Sequence, residues 1–204
     1  MTRAKPLPPA DQRVAEILDS ARQAFAEKGF DGASMQDLAR KAGMSVGNFY
    51  RYFPSKSGIV EALIAQDLAD LERDFAGILE QQDPLTALRA TIAQRVAEVK
   101  CDSDGQLWAE ITAAALRKPE IGAAAQRMEE EIVGHMTQVF ARATRRTWEE
   151  AQRQWSSHAR LIVMLVKSCA MYRSDPSDGE KLEALVLRTI NRTLDDITPV
   201  AARG

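Results

Sequence analysis

Apolar residues recur at helical spacing along nearly the whole chain, and this pattern limits the fold more than any other feature of the sequence. Val14, Ile17, Leu18, Ala21 and Phe25 stand at i, i+3, i+4, i+7 and i+11, so one face of a helix would hold them all. The β-branched residues follow the same spacing and do not alternate as in a half-buried strand. The sequence therefore predicts an all-α protein of about nine helices.

The composition is that of an ordinary globular protein. The 204 residues are 45% hydrophobic and 27% charged, and a chain of this length buries about 70% of the surface that it exposes when unfolded. Cys101 and Cys169 lie outside any CxxC spacing, so a disulfide framework and a zinc or redox motif are not expected. The apolar run from Leu161 to Val166 is far shorter than the roughly 18 residues of a membrane-spanning helix. We expect a soluble, cytoplasmic protein without a metal, cofactor or membrane partner.

Charge is distributed unevenly along the chain. Residues 1–60 hold nine Lys and Arg against six Asp and Glu, whereas residues 61–204 hold 18 against 23. The formal net charge of −2 excludes a uniformly basic nucleic-acid coat. Between residues 34 and 60, four basic residues stand against Asp37 alone, which makes the local surface suitable for phosphates. The two parts of the chain can therefore have different partners.

The N-terminal part begins with a predicted tail and a first helix. Residues 1–10 contain three prolines and are predicted to be disordered. Asp11 is the expected N-cap of a helix that ends at Gly29 in the left-handed conformation, with Phe30 folding back as its apolar partner.

Two short helices are predicted next. Ser34, with Asp37 three residues later, forms an acidic variant of the capping box, and Gly43 ends this helix. Ser45 caps a third helix, which Pro54 blocks. A short helix, a Gly-containing turn and a second short helix are typical of a helix-turn-helix, in which the second helix enters the DNA major groove.

The third helix carries polar side chains that suit DNA recognition. Asn48 and Arg51 can each pair bidentately with a purine, and Gly47 leaves room for a close approach. The alternative is that the aromatic residues are the core of a small helical bundle, which we prefer for Phe49 and Phe53. The donors available to phosphates or base edges are Ser45, Asn48, Tyr50, Arg51 and Tyr52.

Residues 34–56 resemble the DNA-binding domain of the TetR (tetracycline repressor) family of transcriptional regulators. The resemblance is carried by the stretch SMQDLARKAGMSVGNFYRYFPSK and by AFAEKGFDGA immediately before it. It differs from the commoner family pattern at Ser34, Leu38, Met44 and Tyr52, and none of these changes removes a needed hydrogen-bond donor.

The resemblance implies a role for each matching position. Phosphate contacts are implied for Ser34, Tyr50, Tyr52 and Lys56. Asn48 is the first choice for reading a base, and Arg51 the second, with a phosphate contact as its alternative. For Gln36, the alternative to a base contact is a solvent-exposed position on the second helix. The residues at or beside base-reading positions are Gln36, Val46, Gly47, Asn48 and Arg51.

Further helices are predicted after the DNA-binding unit, which we assign to residues 11–56. Asp83 and Pro84 are the expected N-cap and first residue of one helix, and Thr147 with Glu150 forms a capping box for another. Loops are predicted at residues 101–105 and 175–179. The expected helices cover residues 55–81, 84–99, 107–117, 121–143, 147–173 and 180–197.

The resemblance implies that residues 57–204 bind a small effector and form a homodimer through the last two long helices. Residues 161–166 are apolar all round the helix, so both faces need to be covered. One face can pack inward and the other against a second copy. The alternative is a central helix wrapped entirely by its own chain.

The middle helices contain residues that suit a cavity for an apolar or aromatic effector. The alternative is that the Met and Trp side chains fill the core and that the two histidines are surface or satisfied core residues. The candidates are Trp108, Ile111, Thr112, Met128, Ile132, His135, Met136, Trp155, His158 and Met164.

The sequence thus favours a ligand-responsive DNA-binding regulator, most simply a repressor released from a palindromic operator by its effector. The alternative is a helical small-molecule-binding or scaffold protein without sequence-specific DNA binding. An enzyme is not expected, because GxSxG, HExxH, Walker and GxGxxG motifs are missing from the sequence.

Overall fold

The computed structural model describes residues 9–98, 104–171 and 176–197. Within these ranges the chain forms nine α-helices and no strand, so the all-α prediction is confirmed. The helices are α1 (Pro9–Gly32), α2 (Met35–Lys41), α3 (Val46–Tyr52), α4 (Lys56–Leu79), α5 (Pro84–Glu98), α6 (Asp104–Ala115), α7 (Pro119–Thr144), α8 (Trp148–Met171) and α9 (Pro176–Asp195).

Four helices begin earlier than the sequence predicts. Helix α6 begins at Asp104, so residues 104 and 105 are helical where a loop was expected, and α7 begins at Pro119. Helix α1 begins at Pro9, so Asp11 lies inside it and is not its N-cap, and residues 9 and 10 of the predicted tail are helical. Helix α9 begins at Pro176, so residues 176–179 are helical where a loop was expected. In α1, α7 and α9 a proline opens the helix, because its missing N–H has no intrahelical partner in the first turn. Residues 1–8 of the predicted tail and 101–103 of the predicted loop lie outside the described residues.

Helix α1 is kinked at Gly29. Its φ of 73° is positive as predicted, but its ψ of 165° is extended rather than left-handed helical, and the chain continues as helix to Gly32. The amide of Phe30 is turned out of the helix and donates to Glu110 Oε2 in α6 at 3.0 Å. A side chain at position 29 would place its Cβ 2.9 Å from the same carboxylate oxygen, so a glycine is needed for this contact.

The buried apolar residues form two clusters, and α4 contributes to both. The first cluster joins α1, α2, α3 and the first half of α4 to α6 and the start of α7, with Phe25, Phe49 and Ile111 in its centre. The second joins the far half of α4 to α5, α7, α8 and α9 around Phe140 and Trp155. The first cluster therefore extends past the boundary that we assigned at residue 56, and the division into residues 11–56 and 57–204 remains a proposal.

Candidate nucleic-acid interface and ligand cavity

The turn between α2 and α3 has the predicted capping residues. The Ser34 hydroxyl oxygen accepts from the Asp37 amide at 3.1 Å, and Asp37 Oδ2 accepts from the Ser34 amide at 3.1 Å, which completes the capping box. A hydrogen bond from Lys28, together with those from Ser34, holds the pKa of the Asp37 carboxyl well below its usual range. Gly43 has a φ of 64° in the turn, and Ser45 caps α3 by accepting from the Asn48 amide at 3.4 Å.

Helix α3 buries its aromatic anchors and exposes its polar side chains. Phe49 is fully buried and Phe53 is nearly so, as predicted, and their rings lie 6.3 Å apart. Tyr50 and Tyr52 are 48% and 39% exposed, so they are not core aromatics. Seven of the predicted DNA contacts besides Tyr50 and Tyr52 are exposed or half-buried on or beside these helices: Ser34, Gln36, Ser45, Val46, Gly47, Asn48 and Arg51.

Lys56, the remaining predicted contact, is turned toward the protein. Its ammonium group donates to the carbonyl oxygens of Phe30 at 2.7 Å and Asp31 at 3.2 Å, and it lies 4.8 Å from the centre of the Phe30 ring. Burial lowers the pKa of this lysine. Lys56 therefore joins the start of α4 to the C-terminal end of α1, and its phosphate contact remains a prediction.

A cavity of about 460 Å³ lies between α1, α4, α5, α6, α7 and α8. Its volume is in the range typical of small-molecule sites. Its apolar wall includes Phe75, Ile78, Leu88, Ile92 and Ile162. Six of the ten predicted ligand residues line it: Trp108, Ile111, Thr112, Met128, Ile132 and Met136.

The other four predicted ligand residues do not line this cavity. His135 stacks on Phe75 at 5.4 Å between ring centres, and His158 Nε2 lies 3.6 Å from Asp196 Oδ2. Trp155 is buried in the second cluster, where the Arg146 guanidinium covers its ring at 5.4 Å. Met164 is 59% exposed. For His135 the reason is helix phase: Met128, Ile132 and Met136 recur every four residues on one face of α7, and His135 stands about 60° from the centre of that face.

The sequence analysis missed a polar wall of the cavity. The polar side chains of α4 that line it are Gln66, Asp67, Asp70 and Asp74, and Arg22, Arg95, Glu129 and Lys167 join them from other helices. Glu129 of α7 lines the cavity and pairs with Lys167 at 3.0 Å. The polar residues of α4 recur every three or four positions, which places them on one face of the helix. A solvent-exposed helix face has the same spacing, so the pattern alone did not indicate a cavity.

Helix α6 connects the cavity to the DNA-binding helices. Trp108, Ile111 and Thr112 form part of the cavity wall, while Glu110 on the same helix accepts from the Phe30 amide at the kink of α1. At the end of α6, Arg117 pairs with Asp31 at 2.8 Å. Helices α4 and α6 therefore line the cavity and contact the predicted DNA-binding unit, and α1 belongs to both.

Helix α8 is apolar on two faces, as predicted for residues 161–166. Ile162 and Val163 are buried in the second cluster, whereas Leu161 and Met164 are 42% and 59% exposed. Leu185 on the neighbouring α9 is exposed as well. An apolar face on the last two helices thus has no cover within the described part of the chain.

Neither a membrane span nor a metal site is found in the described ranges. No helix there combines the length and apolar character that crossing a bilayer requires. No group of three or more His, Cys, Asp or Glu side chains is placed to hold a metal ion there.

Comparison with known proteins gives a family match for the N-terminal part of the chain. Residues 17–63 match the family described as bacterial regulatory proteins, tetR family. The HTH-type transcriptional regulator UidR of Escherichia coli is 32% identical over 111 residues, which are 52% of this chain and 54% of UidR, so the chain spans about half the length of this relative. UidR is a transcriptional regulator by name, in agreement with the expectation that the chain is not an enzyme.

Solved structures are similar over nearly the full length. Salmonella enterica GusR has a TM-score of 0.74 and 25% identity, covering 95% of this chain and 98% of GusR. AibR, crystallised in complex with isovaleryl coenzyme A and operator DNA, has a TM-score of 0.65 and 16% identity, covering 87% of this chain and 97% of AibR, which shows a shared fold. Residues 17–63 therefore match the tetR family of bacterial regulatory proteins, which confirms the predicted resemblance for this part of the chain.

Proposed function

We propose that this chain is a DNA-binding transcriptional repressor that a small effector releases from a palindromic operator. The observation that carries the proposal is α3, a helix held to the core by Phe49 while Asn48, Tyr50, Arg51 and Tyr52 face outward. A recognition helix needs this combination, because its buried side sets the docking angle and its polar side contacts phosphates and bases.

The repressor acts as a homodimer in this proposal. One helix-turn-helix makes few base contacts, and two copies related by a two-fold axis read two half-sites about 34 Å apart. The uncovered apolar face of α8 and α9 supports an interface between two copies. In a two-fold dimer, Leu161 and Met164 of one copy would be covered by the same face of the second copy. A cytoplasmic location is part of the same proposal.

The effector occupies the cavity between the middle helices. AibR has the same fold and its complex contains both an acyl coenzyme A and operator DNA, which supports a link between the two sites. In this chain α4 and α6 line the cavity and also contact the DNA-binding helices. The dimer can exist with its two recognition helices at the spacing that fits DNA or at a spacing that does not. An effector that binds the second state better shifts the equilibrium away from DNA binding, with a coupling free energy of about 1–3 kcal/mol.

The test is a gel shift of the full chain on the DNA that flanks its own gene. We expect one dimer per palindrome and an affinity that falls steeply as salt is raised, because phosphate contacts release counterions. Binding of equal strength to unrelated DNA at every salt concentration would favour the helical scaffold without sequence-specific recognition.

A cavity-filling substitution should imitate the effector. Ala125 lines the cavity, and the Ala125→Phe side chain would occupy part of its volume. We expect operator affinity to fall by about 5- to 150-fold, the usual scale of allosteric coupling. Circular dichroism would check that the variant folds, and a gel shift would measure its affinity.

Ala123→Phe is the matched control, because Ala123 is exposed on the same helix. This control should bind the operator like the parent. A folded Ala125→Phe variant with unchanged operator affinity would contradict the proposed coupling.

A further inference from the structure

The charged side chains of the cavity already have partners in the protein. Eight charged residues line it, and seven of them form ion pairs. The eighth, Asp19, is exposed to solvent. The pairs are Arg22 with Asp67, Arg73 with Asp70, Arg95 with Asp74, and Lys167 with Glu129.

An anion that binds Arg22, Arg95 or Lys167 would therefore have to displace the carboxylate that each of them already contacts. The one charge of the wall outside these pairs, Asp19, faces solvent. The Arg22–Asp67 pair is the most buried of the four, and breaking it would leave an enclosed charge without compensation. Exchanging one of the three more exposed pairs for a pair with the ligand gains little, because exposed ion pairs are weak. An uncharged ligand avoids this cost, and the apolar side chains of Trp108, Phe75 and Met136 suit its body.

Gln66 is the exception among the polar side chains of the cavity wall. Its Oε1 is enclosed and makes no hydrogen bond within the described residues. A buried acceptor without a donor is uncommon in folded proteins, because the desolvated oxygen loses its bonds to water. A ligand that brings a donor to Gln66 would remove this deficit.

We propose that the cavity takes an uncharged molecule with an apolar body and one hydrogen-bond donor, and that Gln66 accepts from that donor. This inference rests on the proposed role of the cavity as the effector site. It names the chemical class of the effector and the residue that selects it.

The test compares four probes that share one skeleton and differ at the end opposite the phenyl ring. Phenylhexanol carries a donor, its methyl ether carries only an acceptor, and phenylhexylamine and phenylhexanoate are charged at neutral pH. Each probe is titrated into the full chain, and binding is measured by calorimetry and by the fluorescence of Trp108. We expect the alcohol to bind about five- to tenfold more tightly than the ether, as one hydrogen bond would give, and more tightly than both ions.

Gln66→Leu should remove the preference of the alcohol over the ether and change the affinity for the ether by less than about twofold. Gln138→Leu makes the same change at an exposed position of α7 and should keep the preference. The inference is overturned if either ion binds as tightly as the alcohol, if Gln66→Leu keeps the preference, or if none of the four probes binds.

Operator binding by the same preparations, measured without any probe, separates this inference from the proposed function. A wrong ranking of the probes with intact operator binding overturns the effector class alone. Loss of operator binding with the expected ranking overturns the proposed repressor and leaves the cavity specificity standing.

Discussion

Met164→Glu is expected to convert the proposed dimer into a monomer and to weaken operator binding by about a hundredfold or more. Met164 is the most exposed apolar residue of α8 at 59%, and Leu161 on the same helix is 42% exposed. In a two-fold interface the new carboxylates of the two copies would be buried in apolar surroundings without a partner. Each monomer would then have to bind its half-site independently. In the dimer, binding of one helix-turn-helix raises the effective concentration of the second at its half-site.

Sedimentation velocity at micromolar concentration measures the oligomeric state, and a gel shift measures the affinity. Leu116→Glu is the matched control, because Leu116 is 87% exposed just after the end of α6 and receives the same charge. The control should remain a dimer with the affinity of the parent. A Met164→Glu protein that still sediments as a dimer would show that the interface lies elsewhere.

Asn48→Ala should relax the base preference at one position of each half-site and cost about 1–3 kcal/mol on the preferred sequence. Asn48 is exposed on α3, and its contact with the Ser45 cap is made by the backbone amide. Removal of the side-chain amide therefore leaves the helix start intact and deletes the group that reads a purine. The measurement is a set of binding curves on operators altered at each position in turn.

Tyr52→Phe provides the comparison on the same helix. The variant loses only a neutral hydroxyl, so it should weaken every sequence alike and leave the salt slope unchanged, as expected for an uncharged phosphate contact. Lys56→Ala is a poorer comparison, because Lys56 also donates to two carbonyl groups at the end of α1. If Asn48→Ala and Tyr52→Phe both lose affinity uniformly, Asn48 does not read a base.

The helix-turn-helix could be read from the sequence because its determinants are local. Ser34, Asp37, Gly43 and Ser45 act on amides within a few residues, and the structure shows each of them in the predicted capping or turn role. The exposed side chains of α3 follow from the period of the helix once Phe49 is assigned to the core.

The cavity could be predicted only in part. The apolar residues of α6 and α7 were found because Met and Trp at helical spacing mark a face that is covered. The polar wall of α4 was missed, because Gln66 and the aspartates that follow it have the pattern of a solvated face. Whether such a face meets water or a cavity depends on helices far along the chain.

The sequence by itself determined α2 and α3, their caps and the residues that α3 presents, because a short α-helix and its caps depend on hydrogen bonds between near neighbours. Only the tertiary structure decided which helix faces meet. It joined Glu110 to the Phe30 amide across 80 positions, turned Lys56 onto the end of α1, and left His135, His158, Trp155 and Met164 outside the cavity. The spacing of residues along a helix predicts which face each side chain lies on. The packing of helices that are distant in sequence decides what that face contacts.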